Sequence, residues 1–405
     1  MTAQKVKRTL QFFPNVTLEA SFDRIKADLV IIGGGPAGVY LADAVHERKG
    51  DGFKVIVLEQ GADLYGSARA GIKQFRTLQG EPAIADLVAL TDRYYQQLGE
   101  EVDRDRESFI KRFPYLFTAQ TPKQLAQVAV DLGKTQHAGY GADARILDQE
   151  QVRKIYPFVD RKTAGAILYP DAGKFDFPRA IEHIVKRAKN TTFALSTTAE
   201  EVIIKRDKIV GVQTNRGYIK TSRVILAPGA FALGAEDKYL RGRDILKGGN
   251  RTTDTVTITS DHGMTKKVPL IGVIKRQSFV APIKGLNIRK DPGNPNQETV
   301  VYPIHPDGSY VRIEVNGEGN GIGTYGWAHS EDQQVLEPEI LPRAIELNFP
   351  GYVYESLGEV ISAYGDSQRP GFLATKPSVR SAGYYTQAPD DKMIHQSLAC
   401  ILCLH

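Results

Sequence analysis

Cysteine is almost missing from this sequence. Its 405 residues hold two, Cys400 and Cys403, in the terminal CILC. That excludes a disulfide-stapled architecture and suits a reducing compartment. A C-x-x-C can be a redox pair or half of a metal site. No second pair and no strand-helix context accompany this one, so it reads as an atypical tail, and no metal site is expected. Long apolar runs are missing as well; none approaches the ~20 residues that span a bilayer. The opening MTAQKVKRTLQFFPNVTLEASFDRIK has neither the apolar core nor the small-residue cleavage site of a secretory signal. A cytoplasmic protein without an integral membrane segment is expected. Charge is not concentrated either: the net value is +5, and the basic residues are scattered through RKTAGA, KRAKN and LRGRD. Nucleic acid is therefore not an expected partner. There are no repeats and no strongly biased segments.

With 41% hydrophobic and 24% charged residues the chain has the composition of an ordinary globular protein, long enough for two domains or one with insertions. ADLVIIGGGPAGVYLADAVHERKGDGFKVIVLEQG reads as strand, glycine turn, helix, strand. Residues 82 to 98 form an amphipathic helix with Ile84, Leu87, Val88 and Leu98 among its apolar positions. TPKQLAQVAVDLGK is a second helix, with Thr121 as N-cap and Pro122 at the first helical position. DQEQVRKIYP is a short third helix closed by Pro157, and residues 175 to 190 are a fourth. From residue 199 the texture turns to three short strands joined at RDK and NRGY, then an apolar strand, Val224 to Ala227, ended by Pro228 and Gly229. Residues 250 to 330 are rich in strand and turn patterns, and 337 to 358 look helical again.

Gly33, Gly35 and Gly38 supply G-x-G-x-x-G. The first makes the tight turn, the second lets the backbone approach a pyrophosphate, and the third allows close helix-to-strand packing. The phosphates sit at the helix N-terminus, where amides and the helix dipole attract them. Glu59 ends the next strand, 21 residues beyond Gly38, placed to accept from a ribose 2′-hydroxyl. A 2′-phosphate there would be repelled, which leaves FAD or NAD. An NAD dehydrogenase would continue with alternating strands and helices. This chain instead leads into YGSARAGIKQFRTLQGEP and a later β-meander ending in RVILAPGAF, the organisation of two-domain flavoproteins.

These residues resemble the D-amino-acid oxidase superfamily of FAD-dependent oxidoreductases, nearest its sarcosine and glycine oxidase branch. The resemblance runs from about residue 28 to 394. It is carried by IIGGGPAG with Glu59, GSARAGIKQFR, LDQEQVRKIYPFVDRKTAGAILYPDAGKFDFPRA, GVQTNRGYIKTSRVILAPGA and GYYTQAPDD. It implies an α/β (α+β) fold, with a Rossmann-like FAD-binding domain and a β-rich substrate domain. The implied division is an N-terminal extension (1–27), FAD-binding parts at 28–108, 165–234 and 365–405, and substrate-domain parts at 109–164 and 235–364.

By the same resemblance, Gly33, Gly35, Pro36, Ala37 and Gly38 hold the pyrophosphate, and Glu59 the ribose. Ser67 lies near the diphosphate or flavin, the Val202 backbone contacts adenine, and Ala227 and Gly229 pack against the cofactor. Lys73 and Arg76 match two basic positions lining the flavin and substrate pocket. Two cations in a glycine-bracketed loop leaving the ribose-binding strand also suit an anion on physical grounds, because a guanidinium fork matches a carboxylate. Arg312 and Tyr385 are further pocket residues.

Three features depart from the family. Gly383 stands where sarcosine oxidases carry the cysteine joined to flavin, so non-covalent FAD is expected. Arg312 replaces an oxygen-activating lysine, which opens a dehydrogenase reading. After YYTQAPDDKMI the family continues through a glycine-rich strand-to-helix turn, whereas this chain has HQSLACILCLH. That tail is too short for both a strand of ~5 residues and a helix of ~11, so the last FAD-binding part is expected to be truncated or atypical.

The expected activity is oxidation of the C–N bond of an amino acid or N-methyl amino acid, with hydride passing to flavin and dioxygen or another acceptor taking the electrons. The alternatives are a dehydrogenase with an acceptor other than dioxygen, and a flavin-binding assembly protein without turnover.

Overall fold

The computed structural model describes residues 15–17, 21–22, 25–64, 74–78, 82–102, 109–206, 208–232, 255–259, 265–269, 272–283, 298–303, 309–315, 321–327, 353–354, 357, 379–387 and 402–404. Its organising element is a six-stranded sheet in the order Val16–Thr17, Thr191–Ala194, Val55–Leu58, Leu29–Ile32, Val224–Leu226, Leu402–Leu404. The first five strands run parallel and the last antiparallel. Leu29–Ile32 and Val55–Leu58 are buried at every position. Continuous apolar runs are what a parallel strand covered on both faces requires.

One face of this sheet is covered by the helices Pro36–Lys49 and Phe177–Arg187, with Tyr95 and Leu98 of the helix Pro82–Val102 in the same core. The other face packs on the meander Ala199–Lys205, Lys208–Thr214 and Gly217–Lys220. Local signals set the helix starts. Asp176 caps the amide of Arg179, and Thr121 with Gln124, then Asp148 with Gln151, form reciprocal caps before Pro122–His137 and Gln149–Ile155.

The second large element is an eight-stranded sheet in the order Val379–Gln387, Gly272–Ile283, Gly321–Trp327, Ser309–Val315, Glu298–Pro303, Tyr115–Ala119, Gly165–Tyr169, Arg145–Asp148. Between the two lies a three-stranded sheet of Gln74–Arg76, Ala172–Phe175 and Ile110–Arg112.

Sheet membership moves several expected boundaries. Gly165–Tyr169 pairs with Tyr115–Ala119, so it belongs to the β-rich region and not to an FAD-binding part opening at 165. Val379–Gln387, inside the expected FAD-binding part 365–405, pairs with Gly272–Ile283 of the β-rich sheet. The N-terminal extension is partly built in: Val16–Thr17 edges the central sheet, and Ile25–Lys26 pairs with Gly217–Lys220. The tail supplies a strand after all, with Cys403 opposite Ile225. The helix expected over 82–98 runs on to Val102, and the one expected from 175 starts at Phe177 because Phe175 is still paired in a strand. Of the helix expected over 337–358, only helical positions 353, 354 and 357 are among the described residues.

A buried ion pair ties the glycine-turn helix to its neighbours. Asp43 is fully buried and accepts from Nε of Arg187 (2.9 Å), from its Nη2, and from the Tyr94 hydroxyl (2.5 Å). Arg187 also reaches Glu101 at 2.8 Å and Glu47 at 3.1 Å. Burial, then the hydrogen bond to Asp43, raises the Tyr94 hydroxyl well above its ordinary value, so it stays a donor. Asp43→Ala would take the buried carboxylate from Arg187 and the acceptor from Tyr94, leaving Arg187 its more exposed partners Glu47 and Glu101. It is expected to cost about 3 kcal/mol, the lower end for breaking a buried pair. Urea unfolding measures it, and a loss under about 1 kcal/mol would rule out the pair as a main tie.

Candidate active site and cofactor turn

The glycine turn follows Leu29–Ile32 and opens the helix Pro36–Lys49. Gly33 has φ +111°, and a Cβ there would collide with the Ala227 carbonyl. A Cβ on Gly38 would strike the Gly33 carbonyl oxygen. Gly35 differs from both: its φ is −73°, and a Cβ would meet nothing within 4 Å. It is also the N-cap, with no side-chain cap, a proline following at the first helical position, and no acidic residue in the first turn. Open space, the amide donors of Gly35 and Ala37, and an uncompensated positive dipole thus coincide at the start of this helix, where Pro36 presets the backbone without an N–H of its own. This is the arrangement a pyrophosphate needs.

Glu59 is 8% exposed and holds the turn from the next strand: its Oε2 accepts from the Gly34 amide (2.9 Å) and its Oε1 from the Gly61 amide (2.6 Å). A carboxylate oxygen has two lone pairs, so each can accept again. Ala227 is buried, and its amide donates to Ile32 across the parallel strands (2.8 Å). Gly229, at φ +60°, starts the short helical turn Gly229–Ala232. Val202 lies in the meander opposite Val212, with its side chain in the core. Ser67 and Lys73 lie outside the described residues.

The remaining candidates sit between two facing sheets. Register places Tyr169, Tyr115, Val300, Arg312, Thr324 and Val280 in one row across the eight-stranded sheet. Paired residues share a face. The opposite face carries Leu116, Val311, Phe279 and Tyr325 into an apolar core. Tyr385 stands in the strand Val379–Gln387 at the edge of this sheet, in register with Ile274.

Across from that row lies the three-stranded sheet, where Arg76 is opposite Ala172 and Gln74 is opposite Lys174. Phe175 belongs to its other side and stacks on Tyr95 with ring centroids 4.1 Å apart. The Tyr115 hydroxyl donates to Gln74 Oε1 (2.9 Å), and the hydroxyls of Thr77 and Tyr169 pair. Burial is the main reason the Tyr169 hydroxyl is pushed up to about 12. The Arg76 guanidinium lies over the rings of Tyr115 (5.7 Å) and Phe117 (5.6 Å), and its Nε donates to the Leu78 carbonyl (3.2 Å). Arg312 Nη2 contacts Glu314 Oε1 (2.5 Å) and Thr324 Oγ1 (3.3 Å), and Lys174 Nζ reaches Glu314 Oε2 (3.3 Å). Gln74, Tyr115, Lys174 and Glu314 escape a sequence reading, because no short motif marks them and only register brings them together.

The family model for FAD dependent oxidoreductases, DAO, matches residues 28–379. The chain belongs to this family. It is an FAD-dependent oxidoreductase, and the open N-terminus at Gly35 fits the FAD pyrophosphate. No curated protein matches the sequence. Among solved structures it is similar to L-proline dehydrogenase from P. horikoshii, at 20% identity over 94% of this chain and 87% of that one, with a TM-score of 0.65. Glycine oxidase from Bacillus cereus is similar at 16% identity, 93% and 90% coverage and a TM-score of 0.63. L-amino acid deaminase from Proteus vulgaris follows at 16%, 93% and 88%, with a TM-score of 0.61. At these identities the likeness is one of fold, and it supports the two-domain α/β architecture. Among the described residues no helix is long and apolar enough to cross a membrane.

For FAD, Glu59→Ala is expected to weaken binding by about 1.5–3 kcal/mol, the scale of a hydrogen bond to a charged group. Titration of the apoprotein with FAD measures it; unchanged affinity would leave Glu59 only the turn-holding contacts to Gly34 and Gly61.

Proposed function

We propose that the protein oxidises the C–N bond of an amino acid or an N-methyl amino acid. FAD, when bound, supplies the acceptor for the α-hydrogen as hydride. The chain's own residues bind and orient. Gly33, Gly35, Pro36, Ala37 and Gly38 hold the pyrophosphate, and Glu59 the adenosine ribose. The Val202 backbone meets adenine, Ala227 and Gly229 line the cofactor, and Ser67 lies by the diphosphate or flavin.

Arg76 takes the substrate carboxylate, with Lys73 as a second cation. The observation that carries this reading is the seating of Arg76: rings beneath its guanidinium and Nε tied to the Leu78 carbonyl hold the fork in one orientation. A pre-set fork costs less to order on binding a carboxylate, and it fixes the α-carbon in direction as well as distance. The Tyr115 and Phe117 rings exclude water from that side. Tyr385 and Arg312 are assigned to the same pocket. The amine enters neutral, its lone pair forms the C=N bond as the α-carbon loses hydride, and water then cleaves the resulting iminium to a carbonyl and an amine or ammonia.

The test is anaerobic. Yellow holoprotein mixed with free and N-methyl amino acids of both configurations should bleach with at least one of them, and the matching amine without a carboxylate should act poorly. If no amine bleaches it, the non-turnover alternative replaces this reading. A second reading concerns the acceptor. Glu314 sits on Arg312, which lowers the local positive potential that would favour reaction with dioxygen. A dehydrogenase follows if the reduced protein reoxidises faster with a dye or quinone than with air.

A further inference from the structure

Deepening that reading, we infer that the substrate carries a second anionic group, a side-chain carboxylate, and that Lys174 is the residue that selects it. The argument starts from register. In the three-stranded sheet, Gln74 pairs with Lys174 and Arg76 with Ala172, so Arg76 and Lys174 are diagonal neighbours on one face. Diagonal positions lie about 7–8 Å apart at the backbone, within reach of long side chains. That face is the one turned to the aromatic floor and to Arg312, as the contacts of Gln74 with Tyr115, of Arg76 with Tyr115 and Phe117, and of Lys174 with Glu314 establish.

Lys174 also lies directly opposite Lys111 on the neighbouring strand. Two ammonium side chains thus stem from neighbouring positions of this small sheet. Glu314 is shared between Lys174 and Arg312. Lys174 is half-buried, and its bond to Glu314, at 3.3 Å, is longer than a usual charge-assisted hydrogen bond. A dicarboxylic amino acid held at Arg76 by its α-carboxylate would reach the Lys174 ammonium with its side-chain carboxylate. Two cations on one rigid sheet thus discriminate by charge and by spacing together.

The experiment compares glutamate with glutamine and aspartate with asparagine, as free and N-methyl forms of both configurations, and measures kcat/KM for flavin reduction. The acid is expected to exceed its amide by roughly 10- to 100-fold, the range for one hydrogen bond between charged groups. Lys174→Met should collapse that ratio towards one, and Lys174→Arg should preserve most of it. Equal rates on acid and amide, or a ratio untouched by Lys174→Met, would overturn the inference. Binding is read separately from turnover, with glutarate as an unreactive probe on the holoprotein. A rise in melting temperature in the native protein that is absent in folded Lys174→Met supports the site, and no rise in the native protein refutes it. A holoprotein that no amino acid bleaches but that glutarate stabilises would retain the dicarboxylate site and lose the proposed oxidation.

Discussion

Replacing Gly35 by valine is expected to give a folded protein without its yellow cofactor. Gly35 has an ordinary backbone φ of −73°, and nothing lies within 4 Å of the position its Cβ would take. The polypeptide therefore tolerates a side chain there. A bound pyrophosphate does not, because the branched side chain fills the space in front of the helix N-terminus. FAD content should fall from about one per chain to under about 0.1, a loss of affinity of at least about 4 kcal/mol, or a thousandfold. The far-ultraviolet circular dichroism spectrum should be unchanged. Gly38→Val is the contrasting variant. Its Cβ would collide with the Gly33 carbonyl oxygen, so it should lose the fold along with the cofactor. Absorbance at the flavin bands, with protein concentration from amino-acid analysis, decides between them. Stoichiometric FAD in Gly35→Val would sink the assignment of this turn.

The second large effect is expected at Arg76. Arg76→Ala removes both the charge and the fork, and kcat/KM for an amino acid should fall by about 100- to 1,000-fold. Arg76→Lys retains the charge but cannot make the paired hydrogen bonds, so a loss of about tenfold is expected. FAD content should match that of the native protein in both variants, since the turn at Gly35 lies on a different element. Stability should drop by about 1 kcal/mol in the alanine variant, because the side chain also covers the Tyr115 and Phe117 rings. The corresponding amine without a carboxylate should react poorly and equally with all three proteins. Single-turnover bleaching at saturating and subsaturating substrate separates binding from chemistry. Equal rates across the three proteins would remove Arg76 from the site and leave the carboxylate without its anchor.

Arg76 and Lys174 act together in these expectations, yet they would have been hard to join by inspection of the sequence. They are 98 positions apart in the chain, and each stands in a strand of only three or four residues. Strands that short carry too little alternation to say which face is polar. Lys73, between the glycine turn and Arg76, is outside the described residues and keeps its role by resemblance alone.

What the amino-acid sequence determined by itself is the part that depends on neighbours along the chain. Apolar β-branched runs at Leu29–Ile32 and Val55–Leu58, glycines at the spacing of a phosphate turn, and Glu59 at the next strand end are all local, because strand, turn and helix propensities act over a few residues. Helix starts at Thr121 and Asp148 were legible for the same reason: a cap is a contact between residues three apart. Tertiary structure alone decided the rest. Pairing of Gly165–Tyr169 with Tyr115–Ala119, and of Val379–Gln387 with Gly272–Ile283, moved strands from the expected FAD-binding side to the β-rich side. Strand partners are chosen by long-range burial of a shared face, and an apolar strand reads the same whichever sheet receives it. Register then decided which charges meet across strands and sheets, setting Lys174 beside Gln74 and within reach of Glu314. A slip of one residue would have turned each of those side chains to the opposite face.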